Sequence, residues 1–448
     1  MEHLLRSIVR LHAYTTPKQF AQPYRELERV AGVGSGTFVK GVGSNVDPNY
    51  LYILTCAHVV EDADQVTVVL PLKGSEQLPA SVVSFVPKHN YDLAIVALHN
   101  PNGIYNSYIR YLPLGSSDKL VQGQKLLALG FPMGQTGLKV SDGVFAGVQH
   151  FLQHTVSISP GNSGGPLVNK KGELVGINNA GMIHVAASNI GYAVPIELYK
   201  LTAKRLFHVP VNPSEPGPHR VLRPPGFGLF IQPTTKQQTA STPCCPQGMY
   251  IFQVIPGSPA SQAGIQPGDL LCELEHSQVD NTGEVQTPWS VQKVPVVTAV
   301  LRLNDPTQAY HFKIWSSATQ QCTHHQLTPL VLDTHGSKML YFPHDPVDYL
   351  NVQGFILMNM SKNHLGFDDL MITMLSLEPL EWFQPHVFIT HIVPGSPAAM
   401  SKTLTVGDTV VAVNRKQVNS IADVKRRLQS KPGGPHQLTT QTGKTVVL

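Results

Sequence analysis

The eleven residues Ser157-Ile158-Ser159-Pro160-Gly161-Asn162-Ser163-Gly164-Gly165-Pro166-Leu167 constrain this chain more than any others. Glycines on both sides of Ser163 permit positive φ and a close backbone approach that larger residues would block. The stretch therefore reads as a turn, and it runs directly into the apolar pair Leu167-Val168. Such a turn can expose a side-chain oxygen and aim two backbone N–H groups at one point. An acyl-transfer nucleophile needs that geometry: an oxygen that attacks, and donors where the oxyanion forms. A hairpin whose glycines serve only the turn would look the same, so the decision rests on residues upstream.

A chain of 448 residues has room for about three domains, each with its own core. Charged residues make up only 14%, and Val, Ile and Thr recur in short runs among 37 glycines and 36 prolines. That composition favours many short strands and turns. The net charge of +4 comes without a dense basic block, so nucleic acid is not an expected partner. No stretch has the length of a membrane span. The five cysteines, Cys56, Cys244, Cys245, Cys272 and Cys322, are odd in number and sparse, and do not read as a disulfide framework. Residues Met1 to Arg6 lack the long apolar core of a secretory signal, so the expected location is intracellular or virus-associated.

Strand-like runs follow one another from Ser7 to Val148, with Tyr50 to Val60 nearly continuous in apolar residues through His58. Further strands are expected over Gln65–Leu70, Ala80–Val86, Leu93–Leu98, Lys125–Leu129 and Gly143–Val148. The expected class is mainly β, a sandwich or barrel. His58 stands at a strand end, where it can reach a cleft. Asp92 is a lone carboxylate opening the apolar strand Leu93 to Val96. Each alone would be a satisfied structural residue. In the order His, Asp, Ser they supply the parts of a nucleophilic triad, since a serine alcohol needs a base and that base needs a carboxylate to fix its tautomer.

Thr55-Cys56-Ala57-His58, Asp92-Leu93-Ala94-Ile95 and Gly161 to Leu167 together resemble the chymotrypsin-fold serine proteases, and specifically their HtrA/Deg branch. Gly34 to Phe38, Leu129 to Gly134, Val175 to Asn178 and Ile190 to Pro195 match further segments of that branch. The resemblance implies a double β-barrel with Ser163 as nucleophile, His58 as general base and Asp92 as orienting carboxylate. It implies an oxyanion hole from the N–H groups of Gly161 and Ser163, and a Pro160-Gly161 peptide that can turn to empty it. Loops near 133–141, 147–160 and 179–189 match those that reorder on activation. Trypsin-like sites carry an acid about six residues before the nucleophile. Ser157 stands there instead, and a cleft lined with Ile177, Asn178 and Tyr192 would suit small or medium apolar side chains rather than basic ones.

A short amphipathic helix is expected over Ile196–Phe207, followed by a hinge with seven prolines or glycines between Val209 and Pro225. Beyond it the chain repeats itself. Ile251 to Ala260 recurs as Phe388 to Ala398, and each copy leads into a Gly-Asp turn, Gly268-Asp269 and Gly407-Asp408. Both copies resemble circularly permuted PDZ domains, in which backbone N–H groups capture a peptide C-terminus while the peptide adds a strand. The capture loops would be Phe227-Gly228-Leu229-Phe230 in the first and Gly354-Phe355-Ile356 in the second, with groove helices over Pro295–Leu301 and Ile421–Leu428. The second copy reads equally well as one that no longer binds peptide.

The expected organisation is a protease domain over 1–208, a linker over 209–222, a first PDZ domain over 223–318, a linker over 319–338 and a second PDZ-like domain over 339–448. His324, His325, His335 and His344 fit no zinc-ligand spacing and read as linker residues, so no metal or other cofactor is expected. The resemblance implies an ATP-independent endopeptidase acting on unfolded or peptide-tagged proteins, with C-terminal peptides bound by the first PDZ domain. A catalytically silent scaffold and a site-specific processing protease are the alternatives. The family also implies a homotrimer, or a multiple of trimers, built on N-terminal aromatic residues. Phe20 and Tyr24 are candidates, with core packing their equal alternative.

Overall fold

The computed structural model describes every residue except 1, 181–189, 210, 212–216, 241, 304, 333–336, 379, 431–432, 434 and 448. Its chain divides into two compact units, one of residues 1–15 with 30–332, the other of residues 16–29 with 333–448.

In the first unit, twelve strands close into two barrels. The first uses β1 (Ile8–Thr15), β2 (Val30–Val39), β3 (Tyr50–Thr55), β4 (Gln65–Val69), β5 (Leu78–Val86) and β6 (Leu93–His99), in the order β1-β2-β3-β6-β5-β4. The second uses β7 (Lys125–Gly130), β8 (Lys139–Val148), β9 (Leu152–His154), β10 (Pro166–Asn169), β11 (Leu174–Asn179) and β12 (Gly191–Pro195), in the order β10-β11-β12-β9-β8-β7. The most apolar runs become strands buried on both faces: every residue from Leu51 to Thr55 and from Leu93 to Leu98 is buried. Closure leaves no unpaired edge in either barrel. The helix Ile196–Leu206 seals the end, burying Ile196, Leu198, Tyr199 and Leu206, with Glu197 in its first turn and Lys204 and Arg205 in its last.

The first repeat module, also in this unit, is a sheet with strands Leu229–Gln232, Met249–Val254, Leu270–Leu274, Tyr310–Ser316 and Gln321–Leu327 in that order, plus a short helix Val296–Val300. Two expectations fail here. Residues 321–327 are not linker but the sheet's last strand, paired with Tyr310–Ser316 from Tyr310↔Leu327 to Ser316↔Gln321, and Leu330–Val331 pairs back to Pro225–Gly226. His324 and His325 therefore belong to the module, while His335 lies outside the described residues. The cysteines do form a framework: Cys244–Cys322 and Cys245–Cys272 are disulfides. The odd total misleads because the fifth, Cys56, is buried and free in the first barrel, leaving an even set within one module.

The second unit holds the other module. Strands Tyr349–Val352, Phe355–Asn359 and Val387–Ile392 form one sheet, and Lys416–Gln417, Val410–Val413, Gln437–Thr440 and Thr445–Val447 form another. The helix Ile421–Gln429 covers them, capped by the Ser420 side chain on the Asp423 N–H. Residues 16–29, expected to belong to the protease domain, join this unit instead. Phe20 meets His364 edge-on, Tyr24 packs against Tyr349 and His391, and Gln22 bonds His391.

Candidate active site

Asp92, His58 and Ser163 come from three elements of the two barrels and meet in one line. His58 sits in the helical turn Ala57–Val60 that follows β3. Asp92 immediately precedes β6 and adopts φ 55°, an αL conformation that a short acidic residue tolerates. Its Oδ1 accepts from the His58 backbone N–H at 2.8 Å, and its Oδ2 accepts from the ring Nδ1–H at 2.7 Å. With Nδ1–H committed, Nε2 keeps its lone pair for the Ser163 hydroxyl, 2.8 Å away. Asp92 is 1% exposed and Ser163 4%, while the His58 side chain keeps 23%, so the relay is shielded but open on the histidine side.

Sequence reading missed the residues that hold this line. Asn179 Nδ2 donates to Asp92 Oδ2 at 2.8 Å, a second bond that fixes the carboxylate. Ser35, fully buried, ties the nucleophile's turn to the first barrel. Its N–H donates to the Ser163 carbonyl at 2.8 Å, its hydroxyl donates to the Gly161 carbonyl at 2.7 Å, and the same oxygen accepts from the Phe131 N–H at 3.1 Å. The only signal was its place in Gly34-Ser35-Gly36. The turn itself needs its glycines: Gly161 at φ 96° and Gly164 at φ 84° would each drive a Cβ into backbone atoms, of Phe131 and Ser35 respectively.

The Pro160 carbonyl accepts from the Met133 N–H at 2.6 Å. A trans peptide points its N–H away from its C=O, so the Gly161 N–H faces away from the 132–134 turn. Among the hydrogen bonds of the described residues, neither the Gly161 nor the Ser163 N–H is used as a donor. Most of the 179–189 loop lies outside the described residues.

The expected pocket residues divide. Ser157 is exposed and Tyr192 half-buried. Ile177 and Asn178 do not reach a cleft. Ile177 is fully buried in the apolar core, and the equally buried Asn178 donates its side-chain amide to the carbonyls of Leu129 and Pro166. Both faces of β11 are covered, so alternation along it sends neither neighbour to solvent. Cys56, His58 and Asp92 bring a thiol, an imidazole and a carboxylate within 4.8 Å. His58 and Asp92 are already bonded to each other, and burial, then the Asp92 charge, push the Cys56 thiol well above its ordinary range, away from the thiolate a metal requires.

Residues 34–177 match the model of the trypsin-like peptidase domain, and residues 388–442 that of the PDZ domain. The chain is 32% identical to HhoB of Synechocystis sp. (strain ATCC 27184 / PCC 6803 / Kazusa) over 62% of its own length and 65% of that protein, just under two thirds. It is 24% identical to the periplasmic pH-dependent serine endoprotease DegQ of Escherichia coli (strain K12), over 93% of the chain and 78% of DegQ. The chain is similar to HtrA/Deg serine proteases, with a trypsin-like peptidase domain and a PDZ domain. Among solved structures, the HtrA-type protease AlgW with decapeptide shares the fold at TM-score 0.51, with 21% identity over 73% of this chain and 95% of AlgW.

One expectation is overturned by these relatives. DegQ and the E. coli DegP, which aligns over 88% of the chain, are named periplasmic, so the relatives point outside the cytoplasm and not to an intracellular location. Two disulfides agree with an oxidising compartment. Among the described residues no helix is long and apolar enough to cross a membrane.

The capture-loop residues also divide. In the first module Phe227 is core, packed against Tyr310 and Phe312, while Leu229 and Phe230 lie half-buried on a strand that ends its sheet. The Gly228 carbonyl accepts from Ile255. In the second module Phe355 and Ile356 are buried, and the Gly354 N–H, expected to hold a peptide carboxylate, donates instead to Asn351 Oδ1 at 2.8 Å.

Proposed function

We propose that this chain is an ATP-independent serine endopeptidase that hydrolyses peptide bonds in unfolded or tagged proteins. The observation that carries the reading is the unbroken relay from Asp92 through His58 to Ser163, at 2.7 and 2.8 Å. As the Ser163 oxygen attacks a scissile carbonyl, its proton passes to His58 Nε2, and Asp92 and Asn179 hold the imidazolium in place. The negative charge that develops on the carbonyl oxygen falls to the N–H groups of Gly161 and Ser163. Each such donor is worth about 3 kcal/mol in the transition state. The proton then moves from Nε2 to the leaving amine, and water repeats the cycle on the acyl-enzyme. With Ser157 in place of an acid, the specificity site does not favour basic side chains.

The first module takes C-terminal peptides at Gly228–Phe230 and acts on the catalytic barrels. Two contacts support that coupling. Tyr91, the residue before Asp92, donates its hydroxyl to the Leu301 carbonyl at 2.5 Å, just past the groove helix. Arg302 makes two bonds to the Asp118 carboxylate, at 2.8 and 2.9 Å, while stacking on Trp289. Assembly into trimers or their multiples rests on the family alone.

Ser163→Ala tests the reading. Hydrolysis of casein by the purified chain should fall by about 10⁴–10⁶-fold, with the fold unchanged by circular dichroism. A fluorophosphonate should label wild type at Ser163 and leave the variant unlabelled. Absence of labelling in wild type, with activating peptides present, would make the chain a silent scaffold.

A further inference from the structure

A β-strand has two edges, and capture of a chain end by strand addition requires one of them to be open. In the first module, Leu229–Gln232 pairs with Met249–Val254 on one side and, among the described strands, ends the sheet on the other. Its counterpart in the second module, Phe355–Asn359, has no open edge. One side pairs with Val387–Ile392. The other pairs antiparallel with Tyr349–Val352, in the register Tyr349↔Met358, Leu350↔Leu357, Asn351↔Ile356 and Val352↔Phe355.

That second partner has every feature of a bound peptide. It runs antiparallel to the groove strand and its last residue, Val352, arrives at the capture loop. Val352, 4% exposed, and Leu350 two residues before it face inward and pack with Ile421, Val424 and Leu428 of the groove helix. The loop N–H that would bind a terminal carboxylate is satisfied by Asn351, from within the strand. A two-residue turn, Gln353 at φ 52° and Gly354 at φ 103°, joins ligand to groove with the positive φ values that tight hairpins require.

The sequence explains why only one module does this. In the first module the residues before the loop are Arg223-Pro224-Pro225-Gly226. Two consecutive prolines lack the N–H groups a hairpin partner must donate, and Pro225–Gly226 pairs elsewhere, with Leu330–Val331.

We propose that Tyr349–Val352 is the resident ligand of the second module's groove, so that this module captures no foreign chain end by strand addition. The proposal rests on reading both modules as PDZ grooves. A ligand tethered by two residues acts at an effective concentration on the order of millimolar or more, which free peptides do not match.

The test is hydrogen exchange by mass spectrometry on the full chain, with a free decapeptide ending in Tyr-Leu-Asn-Val as probe. In wild type, about 1 mM probe should leave exchange in 355–359 and 421–429 unchanged within about two-fold. In the double variant Leu350→Ser/Val352→Ser, residues 349–352 should exchange freely, and the probe should then slow 355–359 by about ten-fold. Saturable protection of 355–359 by the probe in wild type overturns the proposal, and that arm needs no variant to fold. An opened variant that keeps its melting transition yet takes no probe overturns the groove reading itself, and the proposal with it.

Discussion

The two repeat modules share a signature, Pro-Gly-Ser-Pro-Ala, and the same local structure at it, yet they differ in what surrounds their groove strands. Among the described residues, the first has Leu229–Gln232 as the end strand of its sheet, and it is stapled by two disulfides. The second closes the equivalent edge with its own chain and, among the described residues, has no cysteine. Duplication has preserved the scaffold, while residues just outside the repeat decide whether a groove is free. Shared fold therefore does not carry shared function from one copy to the other. Stability is distributed differently as well: covalent closure supports the first module, and an added strand supports the second.

Breaking the staples should give the largest effect. The bridges close loops of 78 and 27 residues. In the chain-entropy account each contributes about 3–5 kcal/mol by restricting the unfolded chain. Cys245→Ala/Cys272→Ala should destabilise the first module by that amount and raise amide exchange across Met249–Val254 and Leu270–Leu274, leaving Phe355–Asn359 unchanged. Equal loosening of both modules would show that the difference in stapling does not matter.

Acid should act on the second module through His364. Burial holds its pKa down to about 4. The Ser361 N–H donates to its Nδ1 at 3.1 Å, which requires an unprotonated nitrogen there. The folded pKa lies below the unfolded value near 6.5, so the unfolded chain takes up the proton first as pH falls. Stability present at neutral pH is lost from about pH 6.5 down to about 4, by up to roughly 3 kcal/mol. His154, in β9 and also held near 4 by burial, imposes the same trend on the second barrel. His364→Gln should flatten the pH dependence of exchange in Phe355–Asn359 without altering that of the barrel. A variant as acid-sensitive as wild type would remove His364 from the account.

How much of this was legible in the sequence follows from the range of the interactions. The barrel strands were visible because continuous apolar runs bounded by Gly and Pro encode burial locally, and Ser163, His58 and Asp92 stood out because each sits in a distinctive short context. Ser35 and Asn179 were not visible: their partners lie 126 and 87 residues away, and nothing local marks a buried serine as a brace. Ile177 and Asn178 misled because a strand between two packed faces has no solvent side to predict. The disulfides were hidden by counting over the chain instead of by module. The closed groove was encoded nearby, in Leu350-Asn351 just before the loop, where the first module has Pro224-Pro225, but likeness to a capture loop drew attention to the glycine and away from the strand before it.

The smallest effect should fall on both modules, because it touches what they share. Ser258 and Ser396 each stand at the N-cap of a short helix, Pro259–Gln262 and Pro397–Ser401, and accept from the N–H three residues on, of Ser261 and Ala399, both at 3.2 Å. Proline at the first position of each helix fits the same plan, since it forfeits an N–H that would have no partner there. Removing either hydroxyl with Ser258→Ala or Ser396→Ala leaves one helix N–H without its acceptor and should cost about 1 kcal/mol. Denaturant melts followed by exchange in each module should give a loss of that size for Ser258→Ala and a larger one for Ser396→Ala, because the Ser396 hydroxyl also donates to the Val393 carbonyl at 2.6 Å. A loss for Ser258→Ala that exceeds that for Ser396→Ala by more than about 0.5 kcal/mol would mean that what surrounds each groove strand reaches back into the helix the repeat encodes, and that the two scaffolds are no longer the same structure with different surroundings.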